Sequence, residues 1–91
     1  MSSEIRLPVL VPRARFRWDK LRRQHQIVFP EGILVLNEPA AAIVRLCDGR
    51  STQELLAALV EQFPDGDLGA DVCAFLERLV RRGLLRDAAD S

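Results

Sequence analysis

The sequence predicts an α+β domain, a three-stranded antiparallel sheet followed by a three-helix bundle. Three observations carry that expectation. From Arg15 to Leu36 the apolar residues alternate with polar ones or form short continuous runs, whereas from Asn37 to Arg82 they recur at helical spacing. The connections between the strand-like runs are short, which places successive strands side by side. Finally, 91 residues make one domain. A chain of that size buries only about 60–65% of the surface its unfolded form exposes. One sheet face packed on helices is then the simplest arrangement.

Residues 1–14 show neither a strand nor a helix period and read as an extended arm. Pro8 and Pro12 favour polyproline-like backbone. The arm carries Ile5, Leu7, Val9, Leu10 and Val11, which call for cover by the body of the domain or by a second copy. The domain proper spans residues 15–86. In Arg15–Asp19, Phe16 and Trp18 alternate with Arg15, Arg17 and Asp19, the period of a half-buried strand. A polar loop around Leu21–Gln24 leads to a second strand, in which His25, Ile27 and Phe29 face one way and Gln26 and Val28 the other. Pro30-Glu31-Gly32 is a turn signal. It opens the third strand, Ile33–Leu36, which is apolar on both faces. With the second strand central, the third is an edge.

Asn37 is a good N-cap, and Pro39 falls in a first turn, where its missing N–H costs nothing. Ala40, Ile43, Val44 and Cys47 mark one helix face, which Asp48-Gly49 should end. Ser51-Thr52-Gln53-Glu54 has the form of a capping box ahead of a second apolar stripe, Leu55, Leu56, Leu59, Val60 and Phe63. Pro64 to Asp67 reads as a loop. A third helix is expected from Leu68 or Asp71 to Arg82, with the stripe Val72, Phe75, Leu76, Leu79 and Val80. Gly83 stops it, Leu84-Leu85 tucks back, and residues 87–91 form a flexible tail. Two helices joined by a short turn, a third helix and a sheet give a winged helix-turn-helix-like shape.

The chain has formal net charge +0, but its halves differ. Residues 1–50 carry nine cations and five acids, and residues 51–91 carry four and eight. Six of the cations lie between Arg13 and Arg23 against the single acid Asp19. That patch suits an acidic partner, or is simply a solvated strand face and loop. Cys47 and Cys73 form no CxxC pair and, among apolar neighbours, are expected to be buried core residues rather than a disulfide. No apolar run approaches the length of a membrane span, and the N-terminus lacks the basic start and long apolar stretch of a secretory signal. A cytoplasmic protein without membrane contact is expected.

Catalysis is not expected. His25 is the only histidine, no cluster has metal-ligand spacing, and phosphate-loop, dinucleotide and nucleophile-elbow motifs are absent. No cofactor or metal is therefore implied. A nucleic-acid-binding winged helix is the alternative. Its reading helix would be the third, but Arg78, Arg81 and Arg82 lie at the wrong end, and Asp67 and Asp71 occupy the end that usually meets bases.

The greasy edge strand fits a peptide-binding module better. An extended segment adds to a free strand edge through main-chain hydrogen bonds, and the groove beside the edge selects side chains. Ile33, Leu34, Val35 and Leu36 supply the edge. Val72, Phe75, Leu76 and Leu79 of the third helix are candidates for the groove wall, and Arg78 or Arg82 for contact with an acidic residue. The substitution Leu34→Pro, which removes a backbone donor, is expected to weaken such binding. The competing arrangement covers both faces of this strand within the monomer.

A family resemblance adds to this. The chain carries RFRW (15–18), VFPEGILVLN (28–37), LCDG (46–49), ST-x-E (51–54) and DV-x-x-FL-x-x-L (71–79), in that order over about residues 7–86. In this it resembles the PqqD family, the small peptide chaperones of pyrroloquinoline quinone (PQQ) biosynthesis, which are similar to RiPP recognition elements. The resemblance implies a non-catalytic protein that binds the PQQ precursor peptide and presents it to a radical-SAM enzyme, which cross-links a glutamate and a tyrosine within the peptide. It also implies docking as a strand between the third strand and the third helix. This chain has no tyrosine and so is not itself the precursor. The basic stretch, with Arg15, Arg17, Arg22 and Arg23, is the candidate contact with the enzyme. A homodimer through the arm or the third-strand edge is compatible with that role.

Overall fold

A computed structural model describes residues 5–64 and 69–90. The expectations for residues 1–4, for Asp65–Leu68 and for Ser91 fall outside those residues. The order of elements is β1 (Pro8–Leu10), β2 (Arg15–Asp19), β3 (Gln24–Phe29), β4 (Gly32–Leu36), α1 (Glu38–Arg45), α2 (Thr52–Gln62), α3 (Gly69–Arg81) and β5 (Leu85–Asp87), with a 3₁₀ turn over Ala88–Asp90. The architecture is α+β. Strands β2, β3 and β4 form an antiparallel meander with β3 in the middle, in continuous register from Phe16↔Ile27 and Ile27↔Leu34 to His25↔Leu36.

The arm and the tail meet. Strand β1 pairs antiparallel with β5, Val9 opposite Arg86. The Asp87 carboxylate accepts the N–H groups of Arg6 and Leu7 at 2.8 and 3.0 Å. On its other side the arm carbonyls of Pro8 and Arg6 accept from Gly49 and Thr52 N–H at 3.3 and 3.0 Å. Thr52 also donates its hydroxyl to the carbonyl of Ile5. The arm is thus pinned from both sides, with Ile5, Leu10 and Val11 covered by the body of the domain, one of the two arrangements its apolar residues call for, and part of it is a strand rather than polyproline-like backbone. Its three-residue strand is too short to display a period, and Pro8 sits at the strand's first position, where a missing donor is tolerated.

Both helix starts follow the sequence signals. Asn37 Oδ1 accepts from Ala40 N–H at 2.9 Å, with Pro39 in the first turn of α1. Ser51 Oγ accepts from Glu54 N–H at 3.0 Å while Glu54 Oε1 accepts from Ser51 N–H at 2.9 Å, a complete capping box. The end of α1 comes earlier than Asp48-Gly49 implies. Leu46 and Cys47 donate to the carbonyls three residues back, tightening the last turn, and the chain then leaves so that Asp48 can bridge to Val9. Gly49 still adopts a left-handed φ of 99° within that connection.

The core gathers Ile27 and Leu36 from the sheet, Ile43 and Val44 from α1, Leu55 and Leu59 from α2, Val72, Leu76 and Leu79 from α3, and Leu84 and Leu85 behind it. Val60 and Val80, placed on the apolar stripes by spacing, stay exposed at 58% and 40%. Cys47 is buried, its thiol donating to the Ile43 carbonyl at 3.2 Å, and burial, with the Asp48 charge, pushes its pKa up to about 12. Cys73 corrects the expectation of two core cysteines, because it is exposed. It follows the buried Val72, and a one-residue step turns a side chain by about 100° around the helix, off the inward stripe. Among the described residues no helix is long and apolar enough to cross a membrane.

Candidate functional site

Strand β4 lies at the edge of its sheet, and the register fixes which of its groups are free. Pro30-Glu31 is a two-residue connection, so Phe29 and Gly32 form a hydrogen-bonded pair and the pattern alternates from there. Ile27–Leu34 and His25–Leu36 are then bonded pairs, whereas Val28–Ile33 and Gln26–Val35 are not. The N–H and C=O groups of Ile33 and Val35 therefore point away from β3, toward the open edge. Leu34 has its N–H committed to β3. This overturns Leu34→Pro as a probe of the edge, because proline there would break the hairpin.

Side chains divide the same way. Leu34 and Leu36 point inward, Leu36 buried, while Ile33 and Val35 stand out at 54% and 55% exposure. Beside the inward pair a cleft of about 430 Å³ opens between β4 and α3. Leu34, Val35 and Leu36 form one wall, and Asp71, Val72, Phe75, Arg78 and Arg82 the other. Seven of the ten residues picked out from the sequence for this site thus come together. The other three do not reach the cleft wall. Leu76 and Leu79 are 2% and 0% exposed and belong to the core, and Ile33 sits on the outer face of the edge. Sequence reasoning missed Asn37, Pro39, Ala40 and Ile43, which close one side. The available signal was the absence of any loop between β4 and α1, which forces the first turn of the helix to border the same space.

The cleft is apolar in its floor and charged at its mouth. Val72 is fully buried and Phe75 half-buried, whereas Arg78 and Arg82 are exposed. Among the described residues no carboxylate lies within ion-pair distance of either arginine. Asp71, also exposed, stands on the same wall near the start of α3.

The outer sheet face carries the basic stretch. Cross-strand rows run Arg15–Val28–Ile33 and Arg17–Gln26–Val35, so two exposed cations lead across the sheet to the two exposed apolar residues of the edge. Arg22 and Arg23 are exposed in the β2–β3 loop next to Leu21, which is 95% exposed. Asp19 holds that loop in shape. It accepts from Leu21 and Arg22 N–H at 3.0 and 3.3 Å, from the Arg22 guanidinium at 3.2 Å and from Gln26 Nε2 at 3.1 Å. Desolvation pushes the Asp19 pKa up, but the hydrogen bonds from Arg22 and Leu21 outweigh it and leave the carboxyl below its ordinary value. Arg13 faces elsewhere, donating to the Gly83 carbonyl at 2.9 Å and lying 3.6 Å from Glu31.

His25 stacks on Phe16 and meets Trp18 at a tilt, with Nε2 3.5 Å from a Glu38 oxygen. Among the described residues no three His, Cys, Asp or Glu side chains gather as a metal site. What the arrangement offers chemically is a strand edge, an apolar cleft and two exposed cations at its mouth.

Comparison with known proteins matches residues 24–85 to the family described as Coenzyme PQQ synthesis protein D (PqqD). The chain is 42% identical over 73 residues to the PqqA binding protein of Azotobacter vinelandii, covering 78% of this chain and 79% of that protein. It is 35% identical over 92 residues to the PqqA binding protein of Rhodopseudomonas palustris strain TIE-1, covering 98% and 90%. Its structure is similar, with TM-score 0.67 and 26% identity over 87% of each chain, to the solution structure of the PqqD truncation of Methylobacterium extorquens PqqCD. That truncation is described as a functional and stand-alone RiPP recognition element.

Proposed function

Because the chain belongs to the PqqD family, we propose that it binds the PqqA precursor peptide of PQQ biosynthesis and presents it to the pathway's radical-SAM enzyme for glutamate–tyrosine cross-linking. The observation that carries the binding step is the free edge of β4. Ile33 and Val35 offer two N–H and two C=O groups to an incoming strand, directly beside the apolar cleft lined by Leu34, Leu36, Val72 and Phe75. Main-chain bonds at the edge supply affinity for any extended segment. Residues of that segment opposite Leu34 and Leu36 enter the cleft, and their neighbours lie on the outer face with Ile33 and Val35.

In this reading the protein is a non-catalytic cytoplasmic chaperone that uses no cofactor, and α2 and α3 with the β2–β4 sheet form a winged helix-turn-helix-like scaffold for a peptide rather than for nucleic acid. The radical-SAM enzyme meets the outer sheet face, through Arg15 and Arg17, and the β2–β3 loop, through Arg22, Arg23 and the exposed Leu21.

Calorimetric titration with a synthetic PqqA peptide, together with backbone amide shifts, tests the proposal. Saturable one-to-one binding, with the largest shifts at residues 32–36 and along α3, is the expected result. Shifts centred elsewhere would remove the β4 site. The enzyme surface has a separate test: the double variant Arg15→Glu/Arg17→Glu should bind peptide normally yet fail to form a complex with the enzyme.

A further inference from the structure

Above the buried Val72 of its floor, the cleft is lined on the α3 side by Asp71, Phe75, Arg78 and Arg82. Their spacing is i, i+4, i+7, i+11, a single stripe down one side of the helix. The cleft therefore follows α3 for about 16 Å at 1.5 Å per residue. An extended occupant covers that length with about five residues at 3.3 Å each. The stripe is chemically ordered, with an acid at its N-terminal end, an aromatic ring in the middle and two cations at its C-terminal end. Neither cation has a carboxylate partner among the described residues.

We infer that this stripe reads the charge order of the docked segment: a carboxylate side chain meets Arg78 and Arg82, an apolar residue two positions away packs on Phe75, and a basic or uncharged residue two positions further faces Asp71. The inference rests on the strand docking along β4 proposed above and adds to it the class of peptide that fits. Physical spacing sets the two-residue step. Only alternate residues of a strand point to the same face, and two strand residues span about 7 Å. That matches the four helical residues, about 6 Å, between Asp71 and Phe75. A guanidinium–carboxylate pair at the half-open mouth keeps its charge-assisted hydrogen bonds while remaining partly solvated, so neither ion is stranded in an apolar floor. A peptide of opposite charge order would place a carboxylate against Asp71 and leave both arginines unpaired.

A double-mutant cycle decides it. A synthetic PqqA peptide, and a set in which each Asp or Glu is changed in turn to Asn or Gln, are titrated against the wild-type protein and against Arg78→Gln/Arg82→Gln, with the amides of Ile33 and Val35 followed in the same titrations. Both arginines are exposed, so the variant keeps its fold, which circular dichroism checks. We expect one peptide substitution to weaken wild-type binding by about tenfold. The double variant should lose about as much, and the two changes together little more. Losses that multiply, or no sensitivity to any acid, with the Ile33 and Val35 amides still shifting, would overturn the charge reading and leave strand docking intact. Binding that leaves those amides unmoved would defeat the docking itself, and this inference with it.

Discussion

Leu34 and Val35 are neighbours, yet their amides leave β4 in opposite directions, and a substitution at each asks a different question. Proline at Val35 removes an edge donor that points away from β3, a position where strand proline is tolerated. Val35→Pro should therefore keep most of its stability and lose peptide affinity by tenfold or so, the value of about one hydrogen bond plus its alignment. Leu34→Pro removes a ladder bond to Ile27 and should cost about 3 kcal/mol or more of stability. Thermal melts paired with peptide titrations separate the two, and a Val35→Pro protein that binds at full strength would show that the edge is not used. The cysteines differ as sharply. Cys73 is exposed, whereas Cys47 is buried with its pKa pushed up to about 12, so little reactive thiolate forms there near neutral pH. An aromatic disulfide reagent at pH 8 should titrate one thiol quickly in the native protein and the second only on denaturation. Two fast thiols would mean that Cys47 is accessible.

At the scale of elements, the arm and the tail act as one latch, fastened by the Asp87 carboxylate, while Asp48 shapes the connection that the arm crosses. Asp87 accepts from Arg6, Leu7 and Ala89 N–H. Desolvation pushes its pKa up, but those three hydrogen bonds bring it below its ordinary value. Asp48 is drawn to about 2, first by the hydrogen bonds from Arg50. Carboxyls lowered in the folded state stabilise it above their unfolded pKa of about 4, and that stability is lost as pH falls through the folded value. Urea denaturation should accordingly show a steady decline between about pH 4 and the Asp48 value of about 2, and a midpoint unchanged down to pH 2.5 would contradict it. Asp87→Ala should cost about 1–3 kcal/mol and free β1 and β5 first, visible as faster amide exchange at Leu7 and Val9 than in α2. The latch also marks the limit of what the sequence discloses. Both N-caps, the strand meander and the open position of β4 were legible, because a cap, a turn and an alternating run are each written in consecutive residues. The β1–β5 pair joins residues about 80 apart through three-residue strands, and no local period records it. The cleft was half legible for a related reason. Spacing showed that α3 has an apolar stripe, but only packing decides that Leu76 and Leu79 turn to the core while Phe75, Arg78 and Arg82 turn to the cleft.

Across the whole molecule, the charge asymmetry of the sequence becomes a surface whose outer sheet face is basic at β2 and apolar at β4. Edge strands usually carry a lysine, a proline or a bulge that discourages pairing with other chains. Strand β4 carries none of these, and its exposed side chains are Ile33 and Val35. The groups that would hold a peptide are thus equally able to hold β4 of a second copy, antiparallel about a two-fold axis, since Ile33–Leu36 is apolar throughout and complementary to itself. Peptide and second copy would then compete for the same N–H and C=O groups, and free protein would dimerise weakly while loaded protein is monomeric. Sedimentation should show a mass that rises with protein concentration and returns to that of one chain plus one peptide at saturation. Val35→Lys, which places a charge on the exposed face of the edge, should hold the protein monomeric throughout while sparing the fold. A dimer that persists with peptide bound, or that survives Val35→Lys, would assign self-association to another surface and leave the β4 edge to the peptide alone.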